Sequence, residues 1–119
     1  MVGAADDAGH VPPLDPRPRV REVVAREVHA ETGLIVKACR LIGVYSAPAL
    51  QLVRYPDGNV WHYVSLSFEC TVRGGALQTC DETLALAYFP LRRLPPTLLA
   101  HHRVRIRDAS SRRVAPFIR

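Results

Sequence analysis

The chain has 119 residues, 48% of them apolar and 23% charged, which suits one globular domain. Those proportions exclude a collagen-like repeat, a wholly disordered chain and a multispan membrane protein. Sixteen basic residues against eleven acidic give a net charge of +5, and only Lys37 among the basic ones is a lysine, so the excess is arginine, whose planar fork suits phosphate and carboxylate partners.

In chain order, residues 1–19 hold Pro12, Pro13, Pro16 and Pro18 with few apolar side chains, which reads as a proline-rich arm ahead of a single domain over 20–119. It carries no apolar signal-peptide core, and no apolar run approaches a membrane span. Cys39, Cys70 and Cys80 form no CxxC pair, so the expectation is three reduced thiols, each a small buried hydrophobe, in a cytoplasmic protein.

Val20, Val24 and Val28 recur every four residues and Gly33 stands just past them, which predicts a helix over Val20–Thr32. Leu34–Tyr45 is apolar and β-branched enough for a strand. Leu50–Tyr55 and Val60–Val72 read as two more, flanking Pro56-Asp57-Gly58-Asn59, a turn in which Pro fixes φ and Gly or Asn accepts positive φ. The second run alternates strictly and ends at Gly74-Gly75. Its His62 falls on the Val64 and Leu66 face. Trp61 and Tyr63 share the other face, as a second packing layer or as a platform on which a base can stack. Thr83–Phe89 reads as a further strand, closed by Pro90, and Thr97–Ala109 as an amphipathic helix that turns Leu98, Leu99, His102 and Ile106 inward and Arg103, Arg105 and Arg107 largely elsewhere. The order of elements gives an α/β or α+β class with a mixed, mostly antiparallel sheet.

The first helix carries the chemistry. With about 100° between successive residues, Glu31 lies about 20° and Glu27 about 60° from Val24, while Glu22, Arg26 and His29 fall opposite. Two carboxylates beside an apolar stripe are either solvated at its edge or compensated by cations, hydrogen bonds or metal. Spaced i and i+4, they can jointly offer hard oxygen ligands to Mg²⁺ or Mn²⁺.

The run Arg26-Glu27-Val28-His29-Ala30-Glu31-Thr32-Gly33-Leu34 resembles the second half of the Nudix hydrolase signature, R-E-U-x-E-E-x-G-U with U aliphatic, and keeps six of its seven specified letters. Ala30 replaces a glutamate. The first half of the signature departs further: Pro18 and Pro12 stand where its spacing calls for Glu and Gly, although Gly9 to Asp15 restores a glycine-to-acid spacing if three residues are inserted before the helix. Later segments, from Leu41-Ile42-Gly43 to Leu94-Pro95-Pro96, follow the order expected for Nudix proteins of the ADP-ribose-pyrophosphatase-like type.

The resemblance implies an α/β/α sandwich, here lacking the N-terminal strands, and hydrolysis of a nucleoside diphosphate linked to another moiety. It carries over Glu27 and Glu31 as ligands of Mg²⁺ or Mn²⁺, Arg26 as a structural or electrostatic partner and Glu82 as a further acid or base. The missing strands would leave open sheet edges, from which a homodimer is expected. A Nudix-fold protein that binds a phosphorylated ligand or a protein partner without turnover is the alternative reading. Two other features are weaker. His101-His102 are adjacent, and their side chains should diverge by about 100°, which argues against joint ligation. Arg92, Arg93, Arg103, Arg105, Arg107, Arg112 and Arg113 make the C-terminal third basic, but without the aromatic interleaving of a nucleic-acid surface.

Overall fold

In the computed structural model, residues 2–5, 18–83 and 85–119 are described. The elements are β1 (Val2–Ala5), α1 (Val20–Thr32), β2 (Leu34–Tyr45), α2 (Pro48–Gln51), β3 (Leu52–Arg54), β4 (Val60–His62), β5 (Ser65–Gly75), α3 (Ala100–Ser110) and β6 (Phe117–Ile118). One sheet has the order β1-β5-β2-β6, antiparallel except for the parallel β2/β6 pair, and β3 and β4 form a separate antiparallel hairpin. The chain is therefore an α/β protein with a mixed sheet. The Gly9–Asp15 spacing lies outside the described residues, as do Pro12, Pro13 and Pro16.

The first helix and the strand after it have the bounds that the sequence predicts. Val24 and Val28 are buried with Leu34, Val36 and Ala38 of β2 and Phe68 and Cys70 of β5, each fully buried valine contributing about 1.5–3 kcal/mol. Gly33 takes a left-handed conformation, φ 78°, and its N–H donates to the His29 carbonyl at 2.8 Å. Arg21 donates to the carbonyls of Ala38 (2.6 Å) and Cys39 (3.0 Å), tying α1 to a bulge in β2.

That bulge sorts the two faces of the sheet. Cys70 and Phe68 meet α1, whereas Glu69, Ser67 and Ser65 alternate with them and point the other way. Beyond the bulge, Arg40 pairs with Glu69 at 3.1 Å and donates to the Ala109 carbonyl of α3 at 2.9 Å, and Tyr45 donates to Asp108 of α3 at 2.9 Å. Opposite faces are thus covered by α1 and by α3.

Several expectations are corrected. Residues 2–5, placed by the sequence in a loop or arm, form β1, so one strand does precede α1. The Leu50–Tyr55 strand is shortened to Leu52–Arg54 because Pro48 opens a helical turn in which Leu50 and Gln51 both donate to the Ala47 carbonyl. Val60–Val72 is broken at Tyr63 and Val64: the Tyr63 N–H donates to the Gln51 carbonyl, at 2.9 Å, as the chain passes from hairpin to sheet. Among the described residues of Thr83–Phe89 no strand forms; Thr83 makes an isolated bridge with Cys80, and residues 85–99 run as coil and turns punctuated by Pro90, Pro95 and Pro96. The last helix begins at Ala100 and not at Thr97; within it Arg105 and Asp108 are buried, while Leu99, just before it, stays exposed. Of the cysteines, Cys70 alone is buried and Cys39 is exposed.

Candidate active site

A cavity of about 1180 Å³ opens among α1, the β3–β4 hairpin, the 85–99 coil and α3. That exceeds the roughly 300–1,000 Å³ typical of small-molecule sites, so it has room for an extended ligand. From α1 it takes Glu27, Val28, Glu31 and Thr32. The cause is local: Val24 and Val28 set the buried stripe, which leaves Glu27 half-buried at its flank and Glu31 exposed one turn on. The end of the helix is fixed by Thr32, whose hydroxyl donates to the Val28 carbonyl at 2.6 Å and accepts from the Leu34 N–H at 3.2 Å.

Of the four residues that the resemblance nominates, the structure brings two together. Glu27 and Glu31 line the cavity; Arg26 is exposed outside it, and Glu82 is exposed in the turn between Cys80 and Thr83, also outside it. Among the described residues no group of three or more His, Cys, Asp or Glu could hold a metal ion. Two carboxylates one turn apart remain a sufficient protein share for Mg²⁺, which keeps several waters and takes its other ligands from substrate phosphates.

Further lining comes from α3. His101 and His102 line the cavity with their ring centroids 4.1 Å apart at 45°, closer than the divergence expected of neighbours on a helix. Arg105 also lines it, buried, donating to Gln51 Oε1 at 2.9 Å and lying 5.2 Å over the Tyr45 ring. Gln51 in turn donates to Ser65 Oγ at 2.8 Å and to the Tyr63 carbonyl at 3.3 Å, so one buried amide joins hairpin, sheet and helix. Sequence reasoning missed both Gln51 and Arg105. An isolated Gln after a short apolar run was their only available signal.

The hairpin supplies aromatic side chains. The Tyr55 and Tyr63 hydroxyls are hydrogen-bonded to each other, and Tyr55 meets Trp61 edge-to-face at 6.5 Å and 87°. Trp61 is 58% exposed, so it is not the packing layer that alternation suggests. His62 is exposed, with its ring hydrogen-bonded to the Ser46 carbonyl.

Outside the cavity, the thiol of Cys39 is held below its ordinary pKa, first by the hydrogen bond with the Thr71 hydroxyl at 3.2 Å and then by Lys37 and Arg73. The Tyr45 phenol is pushed well above its ordinary value by burial and by the Asp108 carboxylate. No described helix is long and apolar enough to cross a membrane.

The fold and site define an α/β protein whose cavity is lined by paired carboxylates, histidines and aromatic rings. Over 85 residues the chain is 39% identical to a curated protein of Methanocaldococcus jannaschii named ADP-ribose pyrophosphatase; the match takes in 71% of this chain and 46% of that protein. The chain therefore spans about half the length of the relative it matches. No family profile matches the chain, and no solved structure does.

Proposed function

We propose that the chain is a metal-dependent Nudix-type hydrolase of a nucleoside diphosphate linked to another moiety, of the ADP-ribose or nucleotide-sugar kind. The observation that carries this reading is the placing of Glu27 and Glu31 one turn apart in a cavity large enough for such a substrate. The similarity to an ADP-ribose pyrophosphatase supports it.

Glu27 and Glu31 would hold Mg²⁺ or Mn²⁺, and the donor set fits: acidic oxygens, accessible to water, with room for phosphate. When bound, the ion would neutralise phosphate charge and activate water. The chain's own contribution is positioning. The buried valines and the Gly33 cap fix the helix end from which the carboxylates project, and Gln51 fixes the wall across which a substrate would lie. Neither Arg26 nor Glu82 is given a role in contact with substrate. Homodimerisation belongs to the same reading, because β1 is an edge strand; light scattering checks it.

A second reading, binding of a phosphorylated ligand without turnover, is favoured by Ala30, which removes a carboxylate that the signature supplies. Hydrolysis of ADP-ribose to AMP and ribose 5-phosphate, of nucleotide sugars to a nucleoside monophosphate and a sugar phosphate, and of nucleoside triphosphates, each with Mg²⁺ and compared between wild type and Glu31→Gln, separates the two. Hydrolysis by the wild type, largely lost in Glu31→Gln, is expected; activity absent, or unchanged by the substitution, refutes the catalytic reading.

A further inference from the structure

Tyr55, Tyr88 and Phe89 are left 37%, 64% and 51% exposed, although aromatic side chains usually dominate burial in a core. All three line the cavity that holds Glu27 and Glu31, and the half-buried Tyr63 lines it with them. On the hairpin side the rings are fixed in place: Tyr55 is hydrogen-bonded to Tyr63 and braced by Trp61, and the chain around Tyr63 is anchored to Gln51. Exposed rings collected in one cavity mark a binding surface, and a flat π face takes any base by stacking. The wall is not purely apolar. Tyrosine hydroxyls and an imidazole interrupt it, which suits a nucleoside better than an aliphatic chain.

We propose that Tyr55, Tyr63, Tyr88 and Phe89 form the subsite that grips the planar base of a nucleotide, with its phosphate-bearing end directed toward Glu27 and Glu31. The direction of the phosphate end rests on the hydrolytic reading above; the stacking does not. Rings from the hairpin and from the 85–99 coil thus act together as specificity-determining residues, selecting for a base at one end of the ligand.

Trp61, the single tryptophan, reports on the site from its contact with Tyr55. Its emission is titrated with AMP and with ribose 5-phosphate, on the full chain and without metal. AMP is expected to change the emission saturably and to bind more tightly than ribose 5-phosphate. Tyr88→Ala and Phe89→Ala should each weaken AMP binding about tenfold, the scale of one lost base–aromatic stack. Both side chains are exposed coil residues, and unchanged circular dichroism verifies that the variants are folded. Equal binding of the two ligands, or undiminished AMP binding by both variants, overturns the proposal. So does Trp61 emission that responds to protein concentration and not to AMP, since the rings would then be covered by a second copy. If AMP binds and the variants weaken it while no substrate is hydrolysed, the subsite stands and the hydrolytic reading falls. If hydrolysis proceeds with the same KM in both variants, the subsite falls and the hydrolytic reading stands.

Discussion

Asp108 is 2% exposed and accepts hydrogen bonds from the Tyr45 hydroxyl at 2.9 Å and from Arg119 Nε at 2.9 Å and Nη2 at 3.2 Å. Tyr45→Phe keeps the ring and deletes one bond to a charged acceptor, while Arg119 still satisfies the carboxylate; the expected loss is about 1.5 kcal/mol. Asp108→Ala is worse, because it strands the buried phenol with no acceptor; roughly 2–3 kcal/mol should be lost. Arg119 adds little to that difference, since its side chain is 46% exposed and returns to water. Urea melts at neutral pH measure both losses. The pH dependence gives an independent check. Folding raises the Tyr45 pKa, so the stabilisation this phenol provides is complete below its ordinary value near 10 and is lost as pH rises beyond it. Wild-type stability should therefore fall above about pH 10, and Tyr45→Phe should flatten that fall. An Asp108→Ala variant no less stable than Tyr45→Phe, or an alkaline decline that Tyr45→Phe leaves unchanged, would refute the reasoning.

Gly75→Ala should be disruptive, because the residue has φ 77° and a Cβ there would lie 2.3 Å from the Gly33 carbonyl oxygen; more than about 2 kcal/mol is expected, read as a lower urea midpoint with unchanged m. Gly58→Ala is its control, since that glycine also has positive φ but open space around it, and should cost only about 1 kcal/mol. Val24→Ala removes two methyl groups from a fully buried site and should cost roughly 2–3 kcal/mol, with a thermal midpoint lower by several degrees.

What could be read from the sequence was what neighbours in sequence decide. The bounds of α1 follow from valines four apart and a terminal glycine, and β2 from a β-branched run directly after it. The pairing of Glu27 with Glu31 at one cavity is a consequence of the same helical geometry. Contacts between distant residues were not legible. Arg105 meets Gln51 across 54 positions and Tyr45 meets Asp108 across 63, so helical periodicity placed Arg105 outside, although an amide and an aromatic ring stand ready to receive it. The long run looked like one strand because its residue types alternate throughout, although Val60–His62 is exposed at every position; the Tyr63 N–H, donated to the Gln51 carbonyl, marks the division. Residues 85–89 show the converse: strand-like composition that pairs with no described strand runs as coil.

Gly33 and Gly75 meet where a side chain on either would strike backbone, and just beyond them the Gln78 N–H closes onto the Thr32 carbonyl at 2.8 Å. This clasp is built from main chain, so it is indifferent to the side chains that follow it. The coil of residues 85–99, with Tyr88 and Phe89 on it, lies beyond that fixed point and before α3. Exchange of its length and sequence is therefore expected to leave in place the helix that carries Glu27 and Glu31. The scaffold is in this sense modular: loop grafts between the clasp and α3 are the natural place to re-engineer ligand preference while the carboxylate pair stays where it is.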